Sequence, residues 1–190
     1  MKGKISGIRF FMICALLALG ACASMERPGI TATAQVELRE RAASSLEALY
    51  DATPEARELQ KRSIAILVFP DIVKAGIIIG GSGGNGVLFS PEGKVLGYYN
   101  AASVSYGLQL GVQDYAQALF LTTPVALEYL DSSAGWSVGV GPTIVVMDEG
   151  AAKDLSTTTA RSDVFAFIYG QKGLMGGIGV QGQKITRLQP

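Results

Sequence analysis

The chain has 190 residues, with sixteen basic side chains, sixteen acidic side chains and no histidine. This balance excludes the strongly basic surface that nucleic-acid binding requires, and the missing histidines remove the commonest general base and metal ligand. Charged residues are few and glycine is frequent, at 24 residues, so the composition favours a tightly turned, β-rich domain over a disordered chain. We expect no metal and no cofactor.

The N-terminus has the pattern of an export signal. Three basic residues precede ten uninterrupted apolar residues, 10–19, a run too short to span a bilayer but typical of a secretory signal. The run ends in Leu19-Gly20-Ala21-Cys22, which resembles the bacterial lipobox, where a thiol accepts the lipid. We therefore predict a lipoprotein signal peptide over residues 1–21 and acylation of Cys22. An ordinary secretory signal is the alternative.

Cleavage after residue 21 would leave 169 residues with a formal charge of −3, because the leader holds three basic and no acidic residues. Cys22 would be the only cysteine in the mature chain, which excludes an internal disulfide. Residues 22–33 are small, polar and interrupted by Pro28 and Gly29. We interpret them as a short tether before a single domain over residues 34–190.

Two helices are predicted at the start of the domain and one near its middle. Apolar residues at helical spacing predict an amphipathic helix over residues 34–50, and Thr53-Pro54 is typical of the start of a second helix, 54–62. Thr123-Pro124 begins the third, which ends near residue 132. Leu38, Ala42 and Leu49 form a narrow stripe that favours packing against a core.

The remaining segments have the apolar, glycine-punctuated pattern of strands. Predicted strands cover residues 64–69, 75–81, 86–90, 94–112, 116–121, 136–147, 164–170, 174–182 and 184–188. The polar stretch 148–161 is predicted as a loop. Together these elements predict an α+β fold, in which a strongly bent antiparallel β-sheet or barrel has flanking helices.

Two glycine-rich motifs invite a catalytic or nucleotide-binding interpretation, and neither has the context it needs. Residues 81–86 match G-x-G-x-x-G, but a dinucleotide site requires a helix next, and Val87-Leu88-Phe89 continues as a strand. Residues 80–84 match G-x-S-x-G, yet Ser82 has no histidine to activate it. We expect a glycine-rich hairpin at this position and no catalytic residue.

The basic residues of the N-terminal half are candidates for contact with anionic lipid headgroups. They are Arg39 and Arg41 on the first helix, Lys61 and Arg62 at the end of the second, and Lys74 after Pro70. For each of them, a solvated surface charge is the favoured interpretation. Glu37 and Glu40 beside the two arginines weaken the lipid interpretation of the first helix.

Several segments, in this order, resemble the SYLF lipid-binding domain family. They are ILVFP (66–70), GGSGGNGVL (80–88), GYYN (97–100), SYGLQLGVQ (105–113), GWSVG (135–139) and AFIYGQKGLMGGIGVQGQKITRL (166–188). The resemblance covers roughly residues 35–188. It implies a compact β-rich domain with flanking helices that binds phosphoinositide-type lipids, largely through an N-terminal amphipathic region. It implies no catalytic residues.

The resemblance and the lipobox together predict a membrane-anchored, non-enzymatic lipid-binding lipoprotein of the bacterial envelope that recognises anionic, phosphoinositide-like phospholipids. Some relatives bind actin, but they lack a lipidation signal, so we do not expect actin as the native partner. Ala23 and Ser24 follow Cys22 without an aspartate, which favours the outer membrane, facing the periplasm. The alternative is a structural or adhesive envelope protein that binds a protein partner, with the lipid serving only as anchor.

Overall fold

The computed structural model describes residues 29–132, 136–137, 144–147 and 162–189. The predicted leader, Cys22 and the polar stretch 148–161 lie outside these residues. The described elements are α1 (Ala32–Ala52), α2 (Pro54–Arg62), β1 (Ala65–Gly76), β2 (Ile79–Phe89), β3 (Val95–Leu121), α3 (Pro124–Asp131), β4 (Trp136–Ser137), β5 (Ile144–Met147) and β6 (Val164–Arg187).

The three helices are where the sequence predicts them, and local capping explains their starts. The Thr31 hydroxyl accepts a hydrogen bond from the Ala34 amide at the start of α1, and Thr123 does the same for Ala126 at the start of α3. Pro54 opens α2, where its missing N–H costs nothing. The apolar stripe of α1 is buried against the sheet, which confirms the predicted packing.

Six strands form one sheet that turns back on itself. β1 and β2 form an antiparallel hairpin, while β3 pairs with β2 through its first half and with β1 through its second half. Because β1 and β2 are themselves neighbours, β3 must double back at its middle. β6 follows β3 along almost its whole length. β4 pairs antiparallel and β5 parallel with β6.

Glycines make the bends of β3 and β6. Gly111 has φ +140° and Gly173 has φ +93°, conformations that residues with a side chain rarely adopt. A Cβ on Gly111 would also overlap the carbonyl oxygen of Leu174. We call the end of the sheet where β3 and β6 bend the fold-back end, and the opposite end, where β3 both begins and finishes, the base end.

The base end contains two apolar cores, one on each face of the sheet. On the outer face, α1 packs over Ile66, Val68 and Phe120, with Phe167 from β6. On the inner face, which lies between the two halves of the doubled-back sheet, α3 packs against Leu67 and Tyr99, among others. Successive residues of β1 alternate between the two cores, as the two-residue period of a strand requires.

Several strand predictions were wrong in their bounds. Pro70 does not end β1, because a bulge between Phe69 and Ile72 carries the strand past it; Lys74 therefore lies within a strand. The chain turns at residues 77–78, so the glycine-rich stretch 81–86 belongs to β2 and is not a hairpin turn. β3 and β6 each join segments predicted as separate strands. The barrel alternative is not supported, since no pairing among the described residues closes the sheet.

Candidate functional site

Three turning points of the backbone meet at the fold-back end. Gly76 pairs with both Gly80 and Gly111, and the Gly107 amide donates to the Ile78 carbonyl at 3.0 Å. The turn of the β1–β2 hairpin therefore lies against the bend of β3. The bend of β6 lies on the other side of β3, where Gly111 pairs with Met175.

The outer surface of this end is apolar, and none of the residues that the structure describes covers it. Leu174 is 89% exposed, Ile77 69% and Ile79 67%. The other exposed apolar or aromatic side chains here are Val73, Ile78, Val104, Tyr106, Leu110 and Val112. An open groove of about 780 Å³ runs between the hairpin turn and residues 110–112 of β3. Exposed apolar surface that is contiguous, and not scattered, marks a site of interaction.

The same end is almost free of charge. The three segments that form it, residues 73–82, 103–112 and 173–182, contain no acidic residue and only one basic residue, Lys74. Asp114 and Lys172, which are register partners, come just beyond the segments. A surface that is exposed, apolar and without acidic groups fits hydrocarbon flanked by anionic headgroups, because nothing on it repels phosphate.

The inner face of the fold-back end is polar, in contrast with its outer face. The Ser82 and Ser103 hydroxyls are hydrogen-bonded to each other. Nearer the base end, outside the three segments, Gln183 on one half of the doubled-back sheet donates to Gln117 on the other at 3.0 Å. Register places Lys74 opposite Ser82, on this face. Among the residues that the structure describes, the side chain of Lys74 has no hydrogen-bond or ion-pair partner.

The predicted lipid-binding cations do not form one cluster. Arg41 is in an exposed ion pair with Asp71 at 2.7 Å, and Lys61 is paired with Glu58 at 2.7 Å. Arg39 is exposed on α1, and Arg62 is exposed where α2 ends, just before β1 begins. Lys74 lies near the other end of β1. Of the five cations, only Lys74 belongs to the fold-back end.

Helix α1 has no free apolar face for a membrane. Leu38, Ala42, Leu46 and Leu49 are all buried in the outer-face core, so the amphipathic pattern is used for packing within the domain. Within the described ranges, no helix is both long enough and apolar enough to cross a membrane. Among the described residues, the exposed apolar side chains that lie together at the fold-back end are contributed by strands and a hairpin turn.

The fold-back end was not among the sites predicted from sequence. Its signal is present in the sequence as Gly76-Ile77-Ile78-Ile79-Gly80, three isoleucines between glycines, inside a stretch without acidic residues. Burial in a core explains such a run equally well, so only the exposure of these side chains distinguishes the two interpretations.

Comparison with known protein families finds none whose model matches this chain, and comparison with curated proteins finds no significant match. The resemblance to the SYLF family therefore remains a prediction that depends on the sequence segments alone.

Proposed function

We propose that this chain is a membrane-anchored, non-enzymatic lipid-binding lipoprotein of the bacterial envelope, acylated on Cys22, with a preference for anionic, phosphoinositide-like phospholipids. The observation that carries the proposal is the fold-back end, which exposes isoleucines, leucines and valines on a surface without acidic groups. The lipobox at residues 19–22 and the resemblance to a lipid-binding family support the same conclusion. The outer membrane, facing the periplasm, is the proposed location.

The backbone of the fold-back end supports entry into hydrocarbon. Unpaired N–H and C=O groups are the main cost of placing backbone in a bilayer. Here the strands are paired with one another up to the turn, and the Ile78 carbonyl accepts from Gly107. The Ile77 amide donates to the Ile79 carbonyl at 3.4 Å. Tyr106, exposed beside the isoleucines, suits the boundary between headgroups and hydrocarbon.

Vesicle flotation with a soluble form of the mature chain, residues 22–190 carrying Cys22→Ser, tests this proposal. We expect the protein to float with phosphatidylglycerol-containing vesicles more than with phosphatidylcholine vesicles. The double substitution Ile77→Asp and Ile79→Asp should reduce flotation at least tenfold. Val125→Asp is the matched control, because Val125 is 61% exposed on α3, away from the fold-back end.

Each result has a definite meaning. Loss of flotation in the double variant with retention in the control supports the proposal, provided that circular dichroism shows both variants folded. Equal flotation with both vesicle types would remove the anionic preference. No flotation with either would overturn lipid binding and favour the alternative, an envelope protein whose apolar end docks a protein partner and whose acyl group is only an anchor.

A further inference from the structure

The chain enters the domain at the base end. Gly29 forms a bridge with Gln189, and the Ile30 amide donates to the Gln189 carbonyl at 3.0 Å. Gln189 follows the end of β6, whose Arg187 pairs with Tyr99 near the start of β3. A chain anchored through Cys22 is therefore attached at the base end, away from the exposed isoleucines.

The two ends are far apart compared with the reach of the tether. Gln189 is ten positions along the chain from Gly179, the residue that pairs with Gly107 at the fold-back end. At roughly 3.3 Å per position, this length of strand spans up to about 30 Å. Only six residues lie between Cys22 and Gly29, and the seven Cα–Cα steps of a fully extended chain from one to the other span at most about 25 Å.

These lengths disfavour insertion of both groups into one leaflet. Interfacial elements enter a bilayer by about 5–10 Å, so a fold-back end inserted upright would hold Gly29 up to about 20–25 Å above the hydrocarbon. The tether would then have to run almost straight back to the membrane, with loss of nearly all its conformational freedom. If the acyl anchor and the fold-back end enter two different membranes, the tether does not have to be extended.

We infer that the protein bridges two lipid surfaces, with the acyl chains of Cys22 in one bilayer and the fold-back end in a second. This inference depends on the proposed function, since it requires both the acyl anchor and lipid binding by the fold-back end. It adds a direction to that function: the lipid contacted by the apolar end belongs to a different membrane from the one that holds the anchor. The activity is tethering of vesicles or of apposed membranes.

A two-population vesicle assay tests the bridge. Acylated full-length mature protein is reconstituted into biotinylated phosphatidylethanolamine/phosphatidylglycerol vesicles, and protease accessibility confirms that the domain faces outward. Protein-free fluorescent vesicles of the same composition are added, and streptavidin beads collect the biotinylated population. We expect the beads to retain fluorescent vesicles at least tenfold above the level without protein. Ile77→Asp with Ile79→Asp should abolish this retention, and Val125→Asp should preserve it.

The outcomes separate this inference from the proposed function. If the acylated protein retains no fluorescent vesicles while the soluble Cys22→Ser form still floats with them, bridging is overturned and lipid binding stands. If the soluble form does not float, the proposed function itself fails. If fluorescent vesicles are retained only when they also carry the protein, the fold-back ends bind each other instead of lipid, and bridging in the proposed form is again wrong. Retention unchanged by the aspartate substitutions would contradict it as well.

Discussion

At the base end the outer face of the sheet lies under α1, whereas at the fold-back end the same face of the same strands is uncovered. Val68 and Phe120 are fully buried, but Val73 and Val112, farther along β1 and β3 on that face, are more than half exposed. The inner face changes in the opposite sense, from an apolar core at the base end to the hydrogen-bonded serines Ser82 and Ser103 at the fold-back end. In one continuous sheet, the apolar side chains are thus buried at the base end, whereas at the fold-back end they are exposed on the outer face and the inner face is polar.

The base end therefore stabilises the fold, whereas the fold-back end carries the surface that we propose binds lipid. Burial of apolar area stabilises the base end, where both cores lie. The apolar side chains of the fold-back end remain in contact with water and contribute little to folding, which fits their proposed contact with lipid. The comparison can be tested by making the same substitution at each end.

The largest contrast is expected for leucine truncation. Leu49 is 1% exposed in the outer-face core and Leu174 is 89% exposed at the fold-back end. Leu49→Ala should lower the free energy of unfolding by about 2–5 kcal/mol, because it removes buried methyl groups and leaves a cavity. Leu174→Ala should change it by less than about 0.5 kcal/mol. Urea denaturation followed by circular dichroism measures both.

The oligomeric state should be measured by light scattering at the concentration used for these measurements. If Leu174→Ala lowered the free energy of unfolding as much as Leu49→Ala does, the comparison would be contradicted, since this would show that the fold-back end is buried in solution.

Glycine substitution gives the next largest effect. Gly111 has φ +140° and faces the carbonyl oxygen of Leu174, whereas a Cβ on Gly182 would meet no atom within 4 Å. Gly111→Ala should therefore cost about 1–3 kcal/mol, and Gly182→Ala should be within about 0.5 kcal/mol of the parent chain. Hydrogen exchange should show faster opening near residues 110–112 for the first variant only. Equal protection in both variants would show that the bend does not require glycine.

Alkaline pH should weaken the base end by a smaller amount. Burial raises the pKa of Tyr169 to about 12 from the ordinary 10, against the smaller effect of its hydrogen bond with Ser45. Because the unfolded chain ionises first, stability is full below pH 10 and is lost as the pH rises towards 12. The loss from this group is about 1 kcal/mol at pH 11.

The tyrosine contribution can be isolated by substitution. Tyr169→Phe should show a smaller decrease in urea stability between pH 9 and pH 11 than the parent chain. Tyr106→Phe, at an exposed position of the fold-back end, should follow the parent. The same slope in all three proteins would exclude Tyr169 as a source of the pH dependence.

Helices and fold class could be predicted from the sequence because their signals are local. Capping threonines, prolines at first turns and the stripe of α1 each act within a few residues. The lengths of the strands could not be predicted from the sequence, because pairing between residues far apart in the chain decides them. A bulge carries β1 past Pro70, and β3 continues through Gly107 and Gly111 since β6 pairs with it on both sides of the bend. The curvature was predictable from the glycines, but not which segments it brings together.

The site was only partly predictable for a related reason. The charge of a residue can be read from the sequence, and basic residues are therefore the predicted lipid contacts. Whether Arg41 is ion-paired, however, depends on Asp71, which lies thirty residues away along the chain. Exposure of residues 77–79 is a property of the whole fold, because three bends must meet before those side chains are left uncovered. The single candidate that the structure places at the fold-back end, Lys74, was chosen for its charge alone.

The smallest predicted effect distinguishes two of the chosen cations. Lys74→Gln should weaken flotation with anionic vesicles about fivefold, since one cation near an anionic surface is worth about 1 kcal/mol, and should leave flotation with neutral vesicles unchanged. The double variant Arg41→Gln with Asp71→Asn is the matched control. It removes an exposed ion pair without changing the net charge, so it should alter vesicle binding less than twofold and stability by less than about 1 kcal/mol.

The expected effect of Lys74→Gln follows from the position of its ammonium group relative to the hydrocarbon of the membrane. Ile77 is three positions farther along the chain, just past the end of β1, which at roughly 3.3 Å per position is about 10 Å. An end that enters a leaflet by about 5–10 Å would place the Lys74 ammonium at the level of the phosphates when the isoleucines are in hydrocarbon. A weaker effect for Lys74→Gln than for the paired control would place the anionic contact near α1, whereas equal losses on neutral and anionic vesicles would show that Lys74 supports the fold and does not recognise charge.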